Sequence, residues 1–308
     1  MKESRLMRGT VYQRKWRKLG ILMALPAMLL VILLVFIPLI MNIGYSLTDY
    51  TVNSDVPKFI GFANFVSIFQ DPDFGLICSN TIKLALLYVV GLNTLAIALA
   101  ILIANVGKVL GNTIKSILYF PCLLAMAVVG FVWRIIFNYN NGIINRLLMM
   151  LGMSKDAVPE WLGDPNLIMI STSIAIIWYA LGYYIVIYYA GLMSISPDLY
   201  EVSSIEGATK WQEFRKVTLP MLAPSITINV VLTTMAIIGS FDLPYTLTNG
   251  GGPGQYGTVI PIWIYRLYFN NMQYGKALAL AVILAVIAMI VAVIELKILL
   301  KREAKTNG

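Results

Sequence analysis

Six apolar stretches, each long enough to cross a bilayer, leave this chain few folds to choose from. A helix crossing a hydrocarbon core of about 30 Å needs about 20 mostly apolar residues. Residues 19–41, 81–104, 114–137, 167–190, 223–242 and 277–300 all meet that requirement. Lipid offers the backbone no hydrogen-bond partners, so the expectation is an all-α polytopic membrane protein with six spans. Composition agrees: 59% of the residues are hydrophobic and only 12% are charged, about half the charge of a soluble domain. The first stretch is longer than the apolar core of a signal peptide and lacks a small-residue cleavage site, so it is read as span one.

Lys and Arg in the flanking segments set the orientation. Sixteen of the 23 basic residues fall on one side: Lys2, Arg5, Arg8, Arg14, Lys15, Arg17, Lys18, Lys108, Lys115, Lys210, Arg215, Lys216, Lys297, Lys301, Arg302 and Lys305. The other side holds Lys58, Arg146, Lys155 and Arg266 together with Asp49, Asp55, Asp71, Asp73, Asp156, Glu160 and Asp164. Both termini are therefore expected in the cytoplasm, with a basic arm at 1–18, one transmembrane domain at 19–300 and a tail at 301–308. The net charge of +8 is mostly this asymmetry. It points to anionic lipid headgroups and not to nucleic acid. Histidine is absent, which rules out His-based triads and His-ligated zinc. Cys78 is expected near the outer face and Cys122 near the inner one, too far apart to form a disulfide.

Three loops are more than connectors. Residues 42–80 form an aromatic and acidic external segment, either a lid of short interfacial helices or a docking surface for an external partner. Leu247–Gln255 is Gly-rich but lacks the Gly-Lys-Ser/Thr of a phosphate-binding loop. It reads as a flexible external turn, and no ATP site is expected on this chain. The cytoplasmic segment 191–222 is the most informative. Ser196 before Pro197 is a helix N-cap followed by proline at the first position, and the helix Pro197–Glu206 then stops at Gly207. Thr209 and Gln212 form a capping box that opens a second short helix ending near Leu219-Pro220. Trp211, Phe214 and Val217 on that helix are apolar surface outside the bilayer. They either pack back on the spans or meet a protein partner.

The run from Tyr200 to Pro220 resembles the EAA loop of ABC importer permeases. Glu201, Gly207, Ala208, Phe214, Leu219 and Pro220 match that pattern, Val202 and Ser203 replace its alanines, and Glu206 stands where Asp is common. Phe59–Phe65 with Asp71–Phe74, Thr248–Gly251 with Pro253, and Tyr274–Ala279 are similar to segments of carbohydrate-uptake permeases of the maltose, oligosaccharide and glycerol-phosphate type. The resemblance implies a type I importer permease fold in a bacterial or archaeal plasma membrane. It further implies four partners: a second homologous permease, two ATPase subunits and an extracytoplasmic solute-binding protein. ATP and Mg would sit on the ATPases, so this chain would bind no cofactor and be no enzyme. Glu201, Glu206, Gly207, Ala208, Trp211, Phe214, Leu219 and Pro220 would then couple to the ATPase. Glu201 would meet an Arg of that subunit, and Gly207 would supply the turn.

A sugar path needs aromatic faces for C–H surfaces and a few hydroxyls or amides. Span four carries Trp178, Tyr179, Tyr183, Tyr184, Tyr188 and Tyr189, and span five carries Asn229, Thr233, Thr234 and Ser240. Tyrosine near a helix end also serves as an interfacial anchor, which suits Tyr189. The resemblance favours Tyr184 and Thr233 for solute contact, then Asn229 and Ser240, with Tyr183 and Trp178 behind them. Lys83, Arg134 and Asp242 lie near the outer ends of their spans, and no ionisable residue is expected at the deep midplane. That pattern disfavours the alternative of an ion-coupled secondary sugar transporter.

Overall fold

The structure is a computed structural model that describes residues 21–53 and 56–306. The expected basic arm at 1–18, Asp55 and the last two residues of the tail lie outside the described residues. Among the described residues the chain is helical throughout, with a single isolated bridge pairing Thr48 and Phe59.

Among the described residues four helices are long and apolar enough to span a membrane: α1 (Ile21–Ser46), then α3 (Phe74–Ala104) after the short α2 (Ala63–Phe69), later α7 (Ile168–Met193), and the final helix Tyr274–Thr306. Two further candidates are bent. Lys108–Leu123, whose α-helical part is α4 (Lys108–Tyr119), meets α5 (Met126–Ile136) at 100°. The expected span 114–137 falls on this bent pair. The cause of the bend is local: Pro121 has no N–H to donate, and Leu124 and Ala125 are extended where the helix should continue. A short helix, α6 (Ile143–Met150), follows the pair.

The hairpin consists of α8 (Pro197–Ile205) and α9 (Lys210–Met221), and α9 meets α10 (Ala223–Ile238) at 67°. Helix α9 ends at Met221, beside the expected stop near Leu219-Pro220. A π-turn at Phe214–Thr218 precedes Pro220 and absorbs the bond that proline cannot make. Short helices α11 (Asp242–Leu247) and α12 (Ile260–Tyr265) then lead to α13 (Tyr274–Thr306).

The centre is a pair of four-residue ridges. On α3 the buried stripe is Leu84, Tyr88, Leu92, Ala96 and Ala100. On α7 it is Ile168, Thr172, Ile176, Ala180, Tyr184, Tyr188 and Leu192. Side chains four apart stack along one helix face, so the two ridges pack as complementary rows. Small residues at 96, 100 and 180 let the backbones approach. Gly182 works the same way toward α4, since a Cβ there would sit 2.2 Å from the Leu118 carbonyl oxygen. Helix α10 packs on both α3 and α7, α13 packs on α10, and α1 lies outermost against α13.

At the outer end Lys276 pairs with Asp71 at 2.9 Å, and Asn64 Nδ2 donates to the Ser46 and Thr48 carbonyls at 2.8 Å each. These bonds hold α2 against α13 and the end of α1. The Gly-rich run is not a flexible turn. Its backbone takes positive φ at Asn249 through Gly252, and it is fastened by Gly257 N–H to the Gly251 carbonyl at 2.8 Å. Asn80 Nδ2 donates to the Gln255 and Thr258 carbonyls at 3.1 Å each, and Arg266 donates to the Gln255 side chain. Both cysteines are free thiols.

Candidate functional site

Where α5 kinks away from α4, a cavity of about 300 Å³ opens beside α7 and the end of α10. Tyr88, Tyr119, Tyr179, Tyr183 and Tyr184 line it together with Ser240 and Met126. Tyr183 and Tyr184 meet edge to face at 5.1 Å, and the Tyr179 hydroxyl donates to the Cys122 carbonyl at 3.3 Å. No charged side chain lines this cavity. Its chemistry is rings plus hydroxyls, suited to a neutral, polyhydroxylated solute.

Of the six residues expected along a solute path, the fold brings Tyr183, Tyr184 and Ser240 to the cavity. Trp178 turns instead to Trp133, ring to ring at 5.7 Å. Asn229 and Thr233 are wholly buried between α3, α7 and α10, away from the cavity. Thr233 Oγ1 there accepts from Asn93 Nδ2 at 3.0 Å and donates to the Asn229 backbone carbonyl at 2.7 Å. Sequence reasoning passed over Tyr88, Tyr119 and Asn93. The four-residue stripe on α3 would have found Tyr88, and a lone amide in an apolar span marks Asn93. It also passed over Glu295, a carboxylate inside the last apolar stretch. Glu295 Oε1 accepts from Thr234 Oγ1 at 2.8 Å, near the end of the expected span 277–300 and not at its middle.

The hairpin is built as its sequence dictates, with one exception. Ser196 holds the N-cap position of α8, but its side chain makes no capping bond. Helix α8 closes on Gly207 at φ +74, with Ala208 N–H on the Ser203 carbonyl at 3.0 Å and Gly207 N–H on that of Ser204 at 3.1 Å. That pair of bonds is a Schellman stop. The Thr209–Gln212 capping box is complete in both directions. The Tyr200 hydroxyl reaches Thr218 Oγ1 at 3.3 Å and ties the two short helices together.

Glu201, Glu206 and Gly207 are exposed, while Ala208, Leu219 and Pro220 are partly covered. Trp211 is 66% exposed and Ile205 86%. Phe214, half-buried, lies 5.5 Å from the Trp211 ring. The hairpin therefore presents large apolar side chains on a rigid, capped frame, and the fold leaves them uncovered.

Comparison with known proteins places this geometry. A sequence profile described as "binding-protein-dependent transport system inner membrane component" matches residues 93–302. The sulfoquinovosyl glycerol transport system permease protein of Agrobacterium fabrum is 31% identical over 269 residues, 86% of each chain. A probable starch degradation products transport system permease protein of Thermoanaerobacterium thermosulfurigenes is 32% identical, over 91% of this chain and 93% of that one. A chain of a bacterial ABC transporter that imports the acidic polysaccharide alginate superposes with a TM-score of 0.80 at 26% identity, covering 94% of this chain and 96% of its own. The chain thus belongs to the family of binding-protein-dependent transport system inner membrane components, the ABC importer permeases, which are transport subunits and leave ATP hydrolysis to separate proteins.

Proposed function

We propose that this chain forms half of the translocation path for a neutral sugar or oligosaccharide in an ATP-driven importer. The observation that carries the proposal is the uncharged cavity of tyrosines and Ser240 between α4, α5, α7 and α10. Family membership supports a sugar importer, and relatives named for starch degradation products and trehalose/maltose support a neutral solute. In this reading the chain crosses the plasma membrane six times, each bent helix pair counting as one span, with both termini cytoplasmic. A second permease completes the path and two ATPases sit below. A solute-binding protein delivers the sugar from outside, as a periplasmic protein does in a solved alginate transporter. The segment 191–222 is the coupling element: Glu201, Glu206, Gly207, Ala208, Trp211, Phe214, Leu219 and Pro220 seat it on the ATPase. The chain itself binds no ATP or Mg.

The test is uptake of labelled maltose, maltotriose and glycerol 3-phosphate into proteoliposomes holding the purified assembly and its binding protein. Uptake of a sugar that requires ATP and this subunit together supports the reading. Uptake driven by a proton or sodium gradient without ATP, or by this chain alone, overturns it.

A further inference from the structure

Where α9 bends into α10 at 67°, a second cavity of about 200 Å³ opens against the last turns of α13. Ala223 and Ile226 of α10 and Leu299 of α13 form its walls, and Leu219 and Pro220 close it from the hairpin side. Arg215, one turn earlier on α9, is the one charged side chain that lines it among the described residues. Arg215 is exposed and, among the described residues, has neither a hydrogen bond nor an ion pair. Glu213, the acid next to it in sequence, is held by Lys210 at 3.1 Å. Lys216 beside it, and Lys297 and Lys301 on either side of Leu299, are exposed as well.

Ala223 opens one apolar stretch and Leu299 lies at the end of another, so the cleft sits at the level where hydrocarbon gives way to headgroups. Its apolar walls call for hydrocarbon. Its free guanidinium is a planar fork that fits phosphate oxygens. Even one turn of a partner's helix, about 10 Å across, is too bulky for 200 Å³. We propose that this cleft binds one anionic phospholipid of the cytoplasmic leaflet. Arg215 donates to the phosphate, and the start of an acyl chain lies on Ala223, Ile226 and Leu299. Basic pockets between spans on the cytoplasmic side take anionic headgroups in this way. The cationic end of a zwitterionic headgroup would instead meet Lys216, Lys297 and Lys301 with no acid to receive it. The lipid fills the angle between the coupling element and the spans. The inference rests on the reading of 191–222 as cytoplasmic in an importer, and the experiment keeps the two apart.

Native mass spectrometry of the purified full assembly counts the lipids retained from an equal mixture of phosphatidylglycerol and phosphatidylcholine. Preferential retention of phosphatidylglycerol is expected. Arg215→Gln should weaken it about tenfold, as the loss of a charge-assisted bond dictates. Ala223→Leu should weaken it as much by filling the cleft with no change of charge; should that variant fail to assemble, Ala223→Val carries the same comparison. Lys216→Gln alters net charge as Arg215→Gln does, yet should stay within about twofold of wild type. Equal retention of the two lipids, an equal effect at Lys216, or no effect of filling the cleft overturns the site. Loss of the ATPase from the Arg215→Gln assembly means that the guanidinium meets that subunit, and overturns it too. ATP hydrolysis stimulated by the binding protein is read on the same wild-type preparation. Its absence overturns the importer reading, whereas its presence without lipid preference overturns the lipid site alone.

Discussion

The hydroxyl of Thr234 on α10 donates to Oε1 of Glu295 on α13 at 2.8 Å, while Oε2 of the same carboxylate is shut away without a partner. An acid half satisfied in this way gains little from being there and loses much if its one partner goes. Thr234→Val should cost about 1–3 kcal/mol, because it leaves the whole carboxylate unpaired. Glu295→Met should be neutral or stabilising, since an apolar side chain of similar length removes the desolvated group altogether. Thr234 can then bond back to its own helix. Thermal unfolding of the purified assembly ranks the two, and a Glu295→Met variant less stable than Thr234→Val would show that the carboxylate meets something beyond Thr234.

Gly182 sets how close α7 comes to α4. The atoms that a Cβ there would strike are backbone, the Leu118 carbonyl at 2.2 Å and Tyr119 Cα at 2.5 Å, and backbone cannot rotate aside. Gly182→Ala should therefore destabilise by about 1–3 kcal/mol and lower the yield of assembled protein. Gly75→Ala is the matched control, with nothing within 4 Å of its Cβ position. Equal yields and melting temperatures for the two variants would mean that the helices part without cost.

Much of this fold is legible in the sequence, because lipid makes apolar length and backbone satisfaction nearly the only criteria for a span. The hairpin was legible too: Gly207 and the Thr209–Gln212 box are local signals, and both appear as read. What escaped is of two kinds. Pro121 is a local breaker in plain view, but hydropathy is continuous across Leu124-Ala125 and carries no sign of how far the chain bends there, 100°. The Gly-rich run reads as mobile until Asn80, Arg266 and Thr258 arrive from elsewhere to fasten it. Along α10 and just past its end, Asn229, Thr233, Thr234 and Ser240 look equivalent as polar residues in one apolar segment. The fold sends Asn229 and Thr233 to a buried network, Thr234 to Glu295 and Ser240 to the cavity.

That sorting makes the cavity testable residue by residue. An aromatic stacking contact is worth about 0.5–1.5 kcal/mol, so Tyr184→Ala should raise the KM for uptake roughly threefold to tenfold while leaving assembly intact. Tyr184→Phe, which keeps the ring, should change KM less. Trp178→Ala should leave KM unchanged, since its ring packs on Trp133 outside the cavity. A larger KM effect at Trp178 than at Tyr184 would move the solute path to the other face of α7.

The hairpin makes the sharpest demand. Trp211 and Phe214 lie 5.5 Å apart on a helix whose start is fixed by a two-way capping box, and Trp211 is exposed. Rigid aromatic anchors of this kind supply most of the energy of a protein interface, with about 2 kcal/mol or more for each dominant residue. Trp211→Ala with Phe214→Ala should therefore abolish co-purification of the ATPase in mild detergent and leave the second permease bound. Gly207→Ala acts differently, because Gly207 holds φ +74 with open space around it. Its cost is backbone strain alone, about 1–2 kcal/mol. The ATPase should stay bound, and sugar uptake per ATP hydrolysed should fall as the hairpin loses its fixed angle. Retention of the ATPase by the double variant would mean that these rings face lipid headgroups or the spans. Unchanged coupling in Gly207→Ala would mean that the angle between α8 and α9 transmits nothing.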